Sequence, residues 1–450
     1  MSRQHLLDER PSGWQVGLIG AWLVNLAVIG IIWSTSSDFR GLAGWLDAAG
    51  MLFGLLAVYF ALTQFMLMGR LPWLEGAFGL DRLAGYHRLN GYMAISFILI
   101  HPLFITWSYA VAAQVSPIRQ YVDLIVNYPY VWLALIGEIL FLAVVASSIY
   151  MVRRRLKFEN WYFVHLAVYL AIIFSAIHPF FVSGSFAGTA HPLAKVYWLS
   201  LYGFVGLNLL AWRLVWPLLT SWQLAFRVER VVKETPSTTS VYITGRGLDR
   251  LAARPGQFVM VRVLQSGFWL QEHPFSLSLI QPNQLRLTIR RIGDYTSKVG
   301  QINPGSRLLI SGPFGRFTEA VADTDKRLFI AGGVGITPLR PLAEQALAEG
   351  RHSILIYGNQ HVDDVPLKNE MDQLAERGLE LNYVFSDEPP EPSRLSGYID
   401  LKLIKKLAPD YLDRDIYLCG PPAMMDVLIE QLQADGLAAG RLHFERFRLP

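Results

Sequence analysis

The sequence predicts a multidomain chain: a six-helix transmembrane bundle, then an antiparallel β-barrel, then a doubly wound α/β domain. Three observations carry this. Long apolar stretches fill the chain before residue 220, short β-branched alternating segments follow residue 222, and strand-like and helical runs alternate from Lys326 onward. A length of 450 residues suits about three domains of ordinary size. The expected boundaries are 1–220, 221–323 and 324–450.

The six apolar stretches lie near 14–34, 45–68, 88–112, 130–152, 160–182 and 194–219. Each has about twenty residues or more, which at roughly 1.5 Å per residue matches a hydrocarbon core about 30 Å thick. Apolar residues ring each segment completely, which a soluble bundle would not tolerate. The flanking cations set the orientation. Arg3, Arg10, Arg70, Arg82, Arg88, Arg153, Arg154, Arg155 and Lys157 fall on one side, against Arg40, Arg119 and Lys195 on the other. The N-terminus and everything after the sixth span are therefore expected in the cytoplasm, with the bundle in a bacterial-type inner (plasma) membrane. The first span is too long for a cleaved signal peptide and no cleavage pattern follows it. These clusters account for much of the net charge of +4, so no nucleic-acid partner is called for. The single cysteine, Cys419, excludes an intramolecular disulfide and a four-cysteine iron–sulfur cluster.

Four histidines fall in the spans. His87 and His101 are on the third, fourteen residues apart; His165 and His178 are on the fifth, thirteen apart. Intramembrane imidazoles point to function, and either separation is about 20 Å along a helix. Two facing helices would thus offer two ligand levels, each with two neutral nitrogens, the way a helical bundle holds a haem. Both spans run outward, so His87 is expected opposite His165 at the inner level and His101 opposite His178 at the outer, holding two b-type haems. A thirteen-residue step leaves His178 off the face of His165 unless Pro179 breaks the helix. Arg70, Arg82 and Arg88 suit haem propionates as well as membrane topology, and Glu138 in the fourth span suits a proton path or a polar contact.

In the second domain, Pro255-Gly256-Gln257-Phe258 reads as the turn into a strand, followed by His273-Pro274-Phe275-Ser276 and by Arg290-Arg291-Ile292-Gly293-Asp294-Tyr295-Thr296. Arg290 offers a cation for a pyrophosphate, and Gly293 to Thr296 can open a short helix whose N-terminus binds phosphate. In the third, Gly332-Gly333-Val334-Gly335-Ile336-Thr337-Pro338 follows an apolar strand and precedes a helix, the context of a phosphate-binding glycine turn. Cys419-Gly420-Pro421-Pro422 ends another strand at the same sheet edge, and the chain closes on His443-Phe444-Glu445-Arg446-Phe447.

This order of motifs resembles the ferredoxin–NADP reductase type of flavoprotein. With the paired histidines in front, residues 15–450 resemble the NADPH oxidase and ferric reductase superfamily. The resemblance implies FAD at His273, Pro274, Phe275, Ser276, Arg290 and Thr296. It implies NADPH or NADH at Gly333, Gly335, Thr337, Pro338, Cys419 and Gly420, with Phe447 as an aromatic cover over the flavin. Relatives that prefer NADPH often place an arginine after the second strand of the nucleotide domain. Tyr357-Gly358-Asn359-Gln360-His361 stands there instead, which keeps NADH open. No calcium-binding loop is present. The implied activity is electron transfer from cytoplasmic NAD(P)H through FAD and two haems to an extracytoplasmic one-electron acceptor. That acceptor is dioxygen, a ferric chelate or, alternatively, a separate periplasmic protein. Oxidase relatives carry a further histidine one turn after the outer ligand of the third span. Ile105 occupies that position, which weighs against dioxygen, while Lys195 and His191 suit an anionic chelate or superoxide equally.

Overall fold

The computed structural model describes residues 13–149, 155–156, 158–182, 192–389 and 395–446. Phe447, His191, Arg3, Arg10, Arg153, Arg154 and Lys157 lie outside them. The chain divides near residue 213 into two compact units.

The membrane unit contains α1 (Gly13–Ser36), α2 (Gly41–Leu67), α3 (Pro72–Phe78), α4 (Leu80–Ala113), α5 (Pro117–Asn127), α6 (Val131–Ser148), α7 (Phe158–Ile177), α8 (Pro179–Val182) and α9 (Pro192–Asn208). Six helical stretches are long and apolar enough to cross a membrane: α1, α2, α4, α6, α7 with α8, and the run Pro192–Leu224. Large apolar side chains such as Leu103, Leu207 and Ile31 stand more than half exposed, as expected where lipid is the solvent. Small residues draw the helices together. A Cβ on Gly137 of α6 would lie 2.8 Å from the Ala171 carbonyl of α7.

Two short helices escape sequence periodicity. α3 follows the second span, and α5 follows the third with Ser116 as its N-cap, accepting from the Arg119 amide. α5 shows Ile118, Val122 and Val126 on one exposed stripe while Leu124 is buried. An apolar outer stripe of this kind suits the bilayer interface.

The sixth span continues past its expected end, through a π-helical stretch (Leu209–Val215) into α10 (Trp216–Leu224). Residues 222–224 are therefore helical, and strand β1 (Arg227–Lys233) starts later than the alternating pattern suggested. Then come β2 (Thr238–Thr244), β3 (Phe258–Val263), β4 (His273–Gln281), β5 (Gln284–Arg290) and β6 (Leu308–Phe314). Their order is β1-β2-β5-β4-β3-β6, antiparallel throughout. The expected barrel is not a continuous closed ladder. Its edges meet in an isolated bridge at Arg227 and Arg307, because only the turn leading into β6 reaches β1. There Val228 N donates to Ser306 O at 2.9 Å.

The nucleotide domain holds a six-stranded parallel sheet: β7 (Lys326–Gly332), β8 (His352–Asn359), β9 (Glu380–Phe385), β10 (Leu395–Ser396), β11 (Asp415–Cys419) and β12 (Leu442–Glu445). The order β10-β9-β8-β7-β11-β12 places the switch point between β7 and β11. Helices α11 (Ile336–Ala348), α12 (Lys368–Glu376), α13 (Leu401–Leu407) and α14 (Pro422–Ala434) connect the strands. Two buried apolar clusters, one around Phe329, Leu339 and Leu355 and one around Ile330, Ile356 and Leu428, mark a sheet covered on both faces.

Candidate functional site: paired histidines and interlocked glycine turns

In the membrane unit the four histidine rings stand in two pairs. The centroids of His87 and His165 are 6.3 Å apart, and those of His101 and His178 are 6.4 Å apart. The helix break expected at Pro179 is present. α7 stops at Ile177, His178 is a turn residue, and Pro179 opens α8. His101 is also followed by proline, and Pro102 lies inside α4.

Three of the rings are aimed by a polar neighbour at Nδ1. His101 Nδ1 lies 2.8 Å from Gly50 O, His87 Nδ1 3.3 Å from Gln64 O, and His165 Nδ1 3.4 Å from Ser148 Oγ. A Nδ1–H held by a carbonyl leaves Nε2 as the free lone pair, the usual arrangement behind a metal-ligating imidazole. Around His87 the frame is tight. Gln64 Nε2 donates to His87 O at 2.8 Å, and Asn90 Nδ2 donates to Gln64 Oε1 at 2.6 Å. On α2, a Cβ at Gly54 would sit 2.8 Å from His101 Nδ1, so only glycine leaves that ring its place. Gln64, Asn90, Gly50 and Gly54 do not stand out in the sequence, beyond the one-turn spacing of Gly50 and Gly54 on α2.

A cavity of about 310 Å³ opens beside the His101–His178 pair. Its wall includes Asp47, Ile105, Tyr121 of α5, Tyr128 at the C-cap of that helix, and Glu138. Among the described residues, no group of three or more His, Cys, Asp or Glu side chains converges to hold a bare ion. Each level thus offers two ligands, too few for a tetrahedral zinc site.

In the second unit the flavin motif lies on β4, β5 and the turn after it. His273 and Phe275 share one aromatic group with Tyr295, whose ring centre is 3.9 Å from that of His273 and 6.4 Å from that of Phe275. Tyr295 is buried, which pushes its phenol up to about 12; the sequence places it inside the motif without marking its part in this aromatic group. Ser276 is buried. The Thr296 hydroxyl accepts from the Ile292 and Gly293 amides, each at 3.0 Å, so it shapes the turn that Gly293 opens. Pro274 lies on β4 opposite Met260.

The two glycine turns interlock at the switch point, where open α/β sheets bind their ligands. Gly333 has φ +51, and a Cβ on it would meet Arg290 Nη1 at 2.9 Å. A Cβ on Gly335 would lie 2.1 Å from Cys419 O, and one on Gly420 would lie 3.1 Å from Gly332 Cα. No side chain fits there. Thr337 and Pro338 are buried at the start of α11, and the Thr337 hydroxyl donates back to Val334 O of the turn at 2.9 Å. Cys419 is completely enclosed, and burial pushes its thiol well above the usual range. It is therefore a neutral thiol inside the sheet, and its carbonyl faces Gly335. Arg290 reaches the other domain too: Nη2 is 3.5 Å from Gln360 Oε1 and 4.0 Å from Asp364. Asp364 accepts from Thr235 Oγ1 and, at 2.8 Å, from Ser237 Oγ. Burial raises that carboxyl, but these bonds outweigh it and hold the group below the usual range.

Comparison with known families follows the same three segments. The ferric reductase-like transmembrane component matches residues 53–176, an FAD-binding domain matches 235–318, and the oxidoreductase NAD-binding domain matches 329–429. The chain is a ferric reductase/NADPH oxidase-type fusion. As such it is an integral membrane protein and an NAD(P)H-dependent oxidoreductase built on FAD- and nucleotide-binding domains. This fusion is 30% identical over 206 residues to the sulfhydrogenase 2 subunit gamma of Pyrococcus furiosus, covering 42% of the chain and 70% of that protein. It is 29% identical over 205 residues to the stachydrine N-demethylase reductase subunit of Rhizobium meliloti, covering 43% of the chain and 58% of that protein. The chain spans little more than half the length of most such relatives. The crystal structure of an Amycolatopsis cytochrome P450 reductase aligns at 26% identity and TM-score 0.44, over 50% of this chain and 70% of that one.

Proposed function

We propose that this protein carries electrons from cytoplasmic NAD(P)H to a one-electron acceptor on the far side of the membrane, with FAD and two b-type haems as the relay. The observation that carries this reading is the pair of histidine distances. Two imidazoles sharing one metal ion, at bonds of about 2.0–2.1 Å each, would bring their ring centres to roughly 6 Å apart. The ring-centre distances of 6.3 and 6.4 Å would suit one iron between each pair. When bound, FAD turns the two electrons of a hydride into single electrons, and the haems pass these one at a time through the low-dielectric interior.

The residues have separate tasks in this reading. His87 with His165, and His101 with His178, would hold one haem iron per pair, and an iron so held by two imidazoles would favour electron transfer over oxygen binding. Gln64, Gly50 and Ser148 hold three of the rings by their distal nitrogens. Arg290, beside Gly333, brings a cation to the meeting point of flavin and nucleotide phosphates. His273, Phe275 and Tyr295 form the aromatic wall, and the side-chain-free glycines of the Gly333–Gly335 and Gly420 turns pack those two turns against each other beside Arg290. With no arginine or lysine between Tyr357 and Lys368, a nucleotide without the 2′-phosphate suits the site.

The acceptor is dioxygen or a ferric chelate. The test places the protein in sealed vesicles with nucleotide and FAD outside and the acceptor enclosed. Rapid internal iron reduction with slow superoxide release identifies a ferric reductase; the reverse identifies an oxidase despite Ile105. Absence of any transfer to an enclosed acceptor would overturn the transmembrane path.

A further inference from the structure

We propose that Arg286, Glu370 and Arg340 form an ionic clamp that positions the nicotinamide against the flavin for hydride transfer. The inference rests only on hydride passing from nucleotide to FAD, and is independent of the haems and of the final acceptor.

Arg286 is the third residue of β5, the strand that ends in Arg290. It is 2% exposed, an unusual place for a guanidinium. On the barrel side it donates from Nε to Ser278 Oγ at 3.0 Å, from Nη2 to Ser278 O at 3.2 Å and from Nη1 to Tyr242 Oη at 3.3 Å. Its remaining bonds cross into the nucleotide domain: Nη2 donates to Glu370 Oε2 at 3.0 Å, and Nη1 donates to Glu370 Oε1. Glu370 lies in the first turn of α12 and also meets Arg340 Nε at 2.8 Å. Arg340 belongs to α11, the helix that begins directly after the Gly333–Gly335 turn, and its Nη1 continues to Glu344 at 2.6 Å. Burial raises the Glu370 carboxyl, but Arg286 and Arg340 together outweigh it and hold the group below the ordinary range. It is a carboxylate bridging two cations.

Stability is a poor explanation for this arrangement. A buried ion pair seldom stabilises a fold more than apolar side chains of the same volume, because both charges are stripped of water. A bidentate pair does supply direction: two parallel bonds fix rotation as well as distance. Here those bonds join the strand carrying the flavin cation to α12, and Glu370 continues to Arg340 on α11, the helix that opens directly after the nucleotide turn. Hydride transfer needs reacting atoms about 3–3.5 Å apart, and a displacement of about 1 Å can cost about 100-fold. Apolar packing between two domains can slide by that much; a bidentate clamp resists it.

The test is anaerobic stopped-flow reduction of FAD in the full-length, FAD-loaded protein, separating the limiting rate from the nucleotide dissociation constant. Glu370→Gln keeps the volume and removes the charge. Arg286→Lys keeps the charge and loses the two-pronged geometry. Both are expected to lower the limiting rate by between about tenfold and about 100-fold, with FAD content and nucleotide affinity nearly unchanged. The primary isotope effect with 4-deuterated nucleotide should rise as hydride transfer becomes fully rate-limiting. Arg340→Gln, which breaks only the outer half, should give a smaller slowing and serves as the readout if Glu370→Gln fails to hold FAD. A limiting rate unchanged within about twofold in the FAD-loaded variants, whatever happens to their melting temperature, would overturn the proposal.

Discussion

His178 faces His101 with ring centres 6.4 Å apart although it lies thirteen residues after His165. On an unbroken helix a step of thirteen leaves it about 140° off the His165 face. The break between Ile177 and Pro179 removes that mismatch, since a proline cannot donate to the preceding turn. Pro179→Ala would allow the helix to continue and swing the ring away. The expected result is a mixed high-spin and low-spin haem spectrum with the His87–His165 level intact, checked by low-temperature spin-resonance spectroscopy.

Gly335→Ala would put a methyl 2.1 Å from the Cys419 carbonyl, backbone against backbone, where nothing flexible can yield. Forced overpacking of this kind costs about 1–3 kcal/mol. The nucleotide dissociation constant should rise by about tenfold or more while haem content is unchanged, as read by equilibrium titration of flavin fluorescence. Normal affinity in that variant would remove the turn from the nucleotide site.

Arg290→Met keeps the aliphatic stem and deletes the cation. A hydrogen bond to a charged group contributes about 1.5–3 kcal/mol, so FAD should bind between about tenfold and about 150-fold more weakly. Ultrafiltration of the protein at graded FAD concentrations measures this directly. Unaltered FAD affinity would mean that Arg290 serves the Asp364 contact at 4.0 Å and not the pyrophosphate.

Asp410 accepts from Arg414 Nε at 2.6 Å and Lys326 Nζ at 2.7 Å, tying the starts of β7 and β11. Burial raises its carboxyl, but the two cations outweigh this and hold it down to about 2. A depressed folded-state value means that the stabilisation is present above the unfolded value of about 3.9. It is lost as the pH falls through about 2. With discounting for solvent screening, the contribution is about 1 kcal/mol. Asp410→Asn should therefore lower the melting temperature by a few degrees at pH 7 and hardly at all at pH 2, measured by calorimetry.

Asp47 and Glu138 line the cavity beside His101 and His178. A carboxylate near an electron acceptor in low dielectric opposes reduction. Glu138→Gln and Asp47→Asn should each raise the midpoint potential of the outer haem, by about 59 mV for every tenfold change in the reduction equilibrium, and leave the inner one in place. Spectroelectrochemical titration separates the two.

Much of this could be read from residue order alone. The six spans declare themselves by composition, His87, His101, His165 and His178 by their spacing, and the Gly333 and Cys419 turns by the strand–turn–helix context around them. The missing parts share a physical cause. Arg286 and Glu370 are separated by 84 positions, and Gln64 frames a histidine 23 residues away. Polar contacts at such separations leave no periodic trace. Helix α5 was invisible because its apolar stripe is too short for a span. The closure of the six-stranded sheet depends on where a turn meets β1, which alternation does not encode.

The most direct measurement is the haem content and redox behaviour of the purified protein. Two low-spin haems per chain are expected, both reduced by NADH or NADPH under anaerobic conditions when FAD is present, with one lost on substitution of His87 or His165 and the other on substitution of His101 or His178. One haem or none, or two haems that nucleotide never reduces, would contradict the proposed relay.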